Sequence, residues 1–174
     1  ELSVRTLAAE MAVAQGESLA AEAVNYAVGQ SGSLHQYNEL VSLEKDDIGN
    51  ITMVKINGYV LNELTCEIVE TCEDRLMNSG EVPLSVPFGS VMNSQIFSTT
   101  GPVLRLYASP FAEASVSVDS EFISAGINQT KHRITATIHI FLRYTLPGQG
   151  VVVRYENTLP MYETVIVGSV PNTY

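Results

Sequence analysis

Two long runs of alternating side chains, separated by one short polar segment, leave this chain few ways to fold. In the first run Ala112, Ala114, Val116, Val118 and Phe122 alternate with Glu113, Ser115, Ser117, Asp119 and Glu121. In the second, Ile134, Ala136, Ile138, Ile140, Leu142 and Tyr144 alternate with Arg133, Thr135, Thr137, His139 and Arg143. Strand side chains point to opposite faces in turn, so each run reads as a half-buried strand. The polar face of the first run carries acids and that of the second carries bases. Opposite charges across an antiparallel pair contribute roughly 0.2–1 kcal/mol each and help fix the register. The spacing predicts a hairpin over 112–124 and 131–145, with Val118, Ile134, Ile138 and Ile140 in the core. The intervening Ser124–Ile134 segment reads as a polar turn.

Composition narrows the setting. A chain of 174 residues supports one domain with a substantial core, or two small ones that share a core. A hydrophobic fraction of 45% argues against disorder. Nine Lys and Arg stand against nineteen Asp and Glu, a net charge of −10. That balance disfavours nucleic acid, whose phosphates need clustered bases, and anionic lipid surfaces. No apolar run in these residues is long enough to span a bilayer, and none follows a basic start in the manner of a signal peptide.

Along the chain, residues 3–28 read as an alanine-rich helix with a Leu7, Met11, Ala14 stripe, ended by Gly29-Gln-Ser-Gly-Ser33. Segments 39–45 and 51–57 read as a hairpin around Asp46-Asp-Ile-Gly-Asn50. Asn57 is placed to cap a second helix over 58–77. Its buried face is Leu61, Leu64, Ile68, Cys72 and Leu76, with Glu63, Glu67, Glu70, Glu73 and Asp74 solvated. Residues 81–102 are a Pro-, Gly- and Ser-rich loop with room for one short strand. Strands follow at about 103–108, 112–124, 131–145 and 150–158, with another at 161–167. The expected fold class is α+β: an N-terminal helix, a β-hairpin, a second helix and an antiparallel β-meander, with the helices on one sheet face. One domain over 1–174 divides into 1–80, 81–102 and 103–174.

Signs of chemistry are sparse. His35, His132 and His139 lack metal-binding spacing and read as surface or hairpin residues. No nucleophile elbow or phosphate loop is present. Cys66 and Cys72 lie six residues apart on one helix, a rise of ~9 Å. Disulfide geometry needs Cα atoms within ~7 Å, so both read as free, buried thiols. The expectation is therefore a non-enzyme with no cofactor and no metal. The candidate contact residues are Asn128, Gln129, Lys131, His132 and Arg133. Structurally, Gly126 and Asn128 suit awkward backbone angles and the amides satisfy loop carbonyls. Functionally, this dense basic patch in an acidic chain suits an acidic partner, or an acidic patch on a second copy.

One resemblance is specific. SAGINQTKHRI, from Ser124 to Ile134, and ETVIVGSVPNTY, from Glu163 to Tyr174, look like the sporulation protein YunB family of endospore-forming bacteria. Val86-Pro-Phe-Gly-Ser90 and Asp46-Asp-Ile-Gly-Asn-Ile51 add weaker matches in the same order, so the resemblance extends from about residue 4 to the end. It implies a short N-terminal membrane anchor ahead of Glu1. The domain would then lie outside the cytoplasm, at the outer forespore membrane. It also implies a role in spore envelope assembly or maturation through a protein partner, with no nucleic acid and with membrane contact through the anchor alone. Two alternatives stand beside it. One is a self-associating scaffold between the mother-cell and forespore membranes. The other is an enzyme or binder acting on cell-wall material through Asp, Glu and Ser side chains.

Overall fold

The alternating runs become two central strands of a four-stranded antiparallel sheet. The computed structural model describes residues 2–34, 36–49, 51–80, 82–87, 103–126, 128–146 and 149–167. In chain order these form α1 (Leu2–Leu34), α2 (Tyr37–Leu40), β1 (Val41–Lys45), β2 (Ile51–Ile56), α3 (Gly58–Met77), β3 (Val82–Pro87), β4 (Val103–Gly126), β5 (Gln129–Leu146) and β6 (Gln149–Val167). The sheet order is β3-β4-β5-β6, and β1-β2 is a separate hairpin. The fold is α+β, with both long helices on one sheet face, as the residue pattern predicts.

Alternation decides which face is covered. Ala112, Ala114, Ile134, Ala136, Ile138, Ile140, Leu142, Tyr144, Val151 and Val153 are buried beneath the helices. Val116 and Val118 are half-buried and pack against this core. Phe122, expected on the covered face, is 52% exposed. Of the acid–base rows expected across the hairpin, Glu121 opposite Arg133 forms, whereas Asp119 faces Thr135 and Glu113 faces Phe141.

A bulge in β6 matters for the site. The register shifts where Ile134 faces Tyr162 and Thr135 faces Pro160. Proline lacks the N–H a ladder needs, and a bulge on an edge strand accommodates it. The extra residue changes which β6 positions face inward, from Val151 and Val153 to Tyr162. It therefore points Glu163 outward beside Arg133.

The helices differ from expectation in three ways. First, α1 continues through the Gly29–Ser33 cluster to Leu34. Two glycines cost the helix ~1 kcal/mol each, and buried Ala27 and Ser31 keep its last turns against the core. Second, its buried stripe is Ala8, Ala12, Gly16, Ala20, Val24 and Ala27, while Ala14 is exposed. A Cβ built on Gly16 would lie 2.9 Å from both Tyr144 and Val153, so the α1 backbone rests directly on the sheet. Third, Cys66 is exposed rather than buried.

Helix α3 follows its pattern. Asn57 accepts from the N–H groups of Tyr59 and Val60 at 3.2 and 3.4 Å. Leu64, Ile68, Cys72 and Leu76 are buried, and Leu61 is half-buried. Arg75 joins α3 to α1, lying 4.2 Å over the Tyr26 ring and 2.6 Å from Glu22. In the β1-β2 turn Gly49 supplies the positive φ, +92°. The short strand expected within 81–102 is β3. The rest of that loop, His35, and the final residues of the ETVIVGSVPNTY motif lie outside the described residues.

Candidate functional site

The five expected contact residues divide between a turn and the two faces of a strand. The turn is shorter than the polar segment suggests, because β5 already begins at Gln129. Asn128 adopts φ +58° and Gly126 φ +143°, backbone angles that favour Asn and Gly. Gln129 is exposed opposite Val167. Lys131, His132 and Arg133 follow within the strand, so their side chains alternate between faces.

Lys131 and Arg133 share the open face and one carboxylate. Lys131 Nζ lies 2.8 Å from Glu163 Oε1, and Arg133 Nε donates to Glu163 Oε2 at 2.9 Å. Arg133 Nη1 reaches Glu121 Oε1 at 3.3 Å. The hydrogen bond from Lys131, then that from Arg133, holds the Glu163 carboxyl below its ordinary range. Hydrogen bonding to Glu163 likewise raises the Arg133 guanidinium pKa. These pairs are partly exposed, so their contribution to stability is small. Their effect is positional, since they hold Glu121, Arg133 and Glu163 in one row across three strands. The next row toward the tip is Ile123, Lys131 and Val165, a cation between two exposed apolar side chains.

His132 points the other way. It is fully buried, whereas its sequence context suggested a surface or hairpin histidine. Its Nδ1 lies 2.7 Å from Tyr37 Oη and its Nε2 lies 2.8 Å from Ser120 Oγ. The ring stacks on Phe122 with centroids 4.4 Å apart and 10° between planes. Tyr37 meets it edge-on at 5.9 Å, and Tyr162 stands behind Tyr37 at 6.3 Å. A neutral imidazole offers one donor and one acceptor, and each hydroxyl can play either part, so both ring nitrogens are satisfied. Burial lowers the His132 pKa and raises that of Tyr37. Burial, and then Glu39, raises that of Tyr162. His132 thus anchors α2 to the sheet beneath the tip and is shielded from solvent.

Tyr37, Ser120 and Phe122 carry this cluster, and none stands out in the sequence. Ser120 and Phe122 are signalled only by register, since they share a face with His132. Tyr37 is 95 residues from His132, with no local sign of the pairing. Among the described residues no group of three or more His, Cys, Asp or Glu side chains is arranged to hold a metal ion. No helix among them is long and apolar enough to cross a membrane.

Comparison with known proteins supplies a biological frame. The family model described as Sporulation protein YunB matches residues 83–173, a little over half of the chain. Sporulation protein YunB of Bacillus subtilis (strain 168) is 19% identical over 146 residues. That alignment covers 78% of this chain and 58% of the relative, so the chain spans under two thirds of that protein's length. No solved structure matches. The matched region contains most of the sheet, including the hairpin tip, Ser120, His132 and Glu163, and the chain belongs to the sporulation protein YunB family.

Proposed function

We propose that this chain is a non-catalytic interaction domain of a membrane-anchored sporulation protein, held outside the cytoplasm at the outer forespore membrane. It acts in assembly or maturation of the spore envelope through protein–protein contacts. The sporulation role rests on family membership. The contact role rests on the composition of the sheet's open tip.

The observation that carries it is the pair of rows Ile123-Lys131-Val165 and Glu121-Arg133-Glu163, continued by Val167, which is 63% exposed. Exposed apolar side chains around fixed cations are the ingredients of a protein interface core and its rim. The ion pairs hold Lys131 and Arg133 in place before any partner arrives, which lowers the ordering cost of association. Gln129 and Asn128 border the same patch.

The test is site-specific photo-crosslinking in sporulating cells. A photoreactive residue replaces Ile123 or Val165 in the full-length protein, with exposed Glu17 on α1 as the control position. Capture of the same partner from both tip positions, absent at residue 17, is expected. Equal capture from all three positions, or none from the tip, overturns the reading. Sedimentation of the purified chain separates this reading from a self-associating scaffold.

A further inference from the structure

The outer edge of β4 offers a second surface, whose chemistry differs from that of the tip. β5 pairs along the other side of β4 without interruption from Ser109 to Ser124. Ala114 nonetheless donates its N–H to Glu73 Oε1 of α3, at 2.9 Å. In an antiparallel strand, residues take turns facing each neighbour, so Ala114 faces away from β5. Val116, Val118, Ser120, Phe122 and Ser124 share its parity. Their N–H and C=O groups point to the same outer edge. β3 covers only Val103–Ala108, and among the described residues no strand pairs with that edge beyond Ala114. The Glu73 carboxylate occupies the place where a neighbouring strand's carbonyl would sit.

Proteins usually blunt such an edge with Pro, Lys, a bulge or a cover. β3, the other strand on this side, carries Pro83 and Pro87, alternate positions whose missing donors face outward. Between Pro110 and Gly126, β4 contains no Pro, Gly or Lys. At its Val116 end the edge opens onto a groove of about 430 Å³ against α3, lined by Val69, Met77 and Val116 and by Glu70, Glu73 and Asp74. On the opposite sheet face the edge is flanked by Asp119 and Glu121.

Charge selects the occupant. In a second copy related by two-fold symmetry, the registers centred on Asp119, Ser120 or Glu121 would set these acids against each other, between chains of net charge −10. Like charges directly opposite destabilise strand pairing. We propose that the β4 edge from Val116 to Ser124 docks an extended, basic segment of another protein as an added strand. Backbone groups of that segment pair with the edge. Its apolar side chains enter the α3 groove, and alternating Lys or Arg side chains face Asp119 and Glu121. This is β-strand addition, with alternate side chains supplying selectivity. The proposal stands whether or not the tip binds a partner.

The test uses the whole chain and a dye-labelled peptide of about eight residues, alternating lysine with valine or threonine. Binding is followed by anisotropy, and edge amides by hydrogen exchange. Saturable binding is expected, with the Val116, Val118, Ser120 and Phe122 amides exchanging freely before addition and protected after it. A glutamate-for-lysine peptide should bind at least ~10-fold more weakly, because like charges then meet across the pair. N-methylating alternate peptide amides should abolish binding in one register and spare it in the other. Asp119→Lys should weaken capture of the basic peptide. Edge amides already protected in the free chain would show the edge occupied by the chain itself or, if it sediments as a dimer, by a second copy. Either result, or binding that leaves those amides unprotected or ignores the N-methyl register, overturns the proposal.

Discussion

At His132 the chain buries an imidazole whose neighbours among the described residues are hydroxyls and rings. Its pKa lies below the ordinary ~6.5 because burial disfavours the charged form. As pH falls, the unfolded chain therefore takes up this proton before the folded one does. The stability linked to His132 is full above ~6.5 and is lost as pH falls from there toward the lower folded value. Glu163 works in a separate window. Its depressed pKa means that its contribution is present above the ordinary carboxylate range and is lost as pH falls from there toward the lower folded value. Thermal melts at pH 7.5 and 5.5 should show a lower Tm at the acid value, and the drop should shrink in His132→Gln. An unchanged drop would assign the acid sensitivity to other groups. This residue also shows how far the sequence could be read. The alternation from Ile134 to Tyr144, extended one step back, puts His132 on the covered face. Its place between Lys131 and Arg133 obscured that parity. Tyr37 had no such cue, since the contact depends on where α2 lands.

Among the elements, the bounds of α3 were legible to the residue, because an Asn cap and a four-residue apolar spacing coincide there. α1 was legible as a helix but not in its orientation. Its contact stripe is mostly Ala and Gly, which carry little hydrophobic signal, so the larger Leu7 and Met11, half-buried against the core, marked the margin of the stripe rather than its centre. Gly16 tests that assignment. A larger side chain meets Tyr144 and Val153 at once, so Gly16→Leu should destabilise by ~1–3 kcal/mol, the usual cost of overpacking. Gly29→Ala should stabilise slightly, since a Cβ there meets nothing within 4 Å. Equal denaturation midpoints for the two variants would place the sheet contact elsewhere on the helix. The cysteines test α3 in the same spirit. Cys66 is exposed, whereas burial, then Glu73, pushes the Cys72 thiol up to about 11. A thiol reagent at neutral pH should modify one cysteine quickly and the second only with denaturant. Fast reaction of both would mean α3 is turned differently on its axis.

For the whole molecule, the decisive quantity is how its apolar surface is shared. One continuous core joins Ala8–Ala27 of α1, Leu64–Leu76 of α3 and the covered face of β4, β5 and β6. The β strands were predictable from alternation, but their joint burial under two helices depends on contacts far apart in the chain. Ile138 tests that coupling. It is fully buried at the middle of β5, and its neighbours across the strands are Val116 and Asn157. Ile138→Ala removes most of a buried side chain and leaves a cavity, which typically costs ~2–5 kcal/mol. If helices and sheet share one core, that loss falls on both together. Far-UV circular dichroism and tyrosine fluorescence should then shift to the same lower midpoint, in one transition, with an unchanged denaturant slope. A helical signal that keeps its wild-type midpoint while the sheet melts early would show that the helices hold together without Ile138. The core would then be two units in contact rather than one.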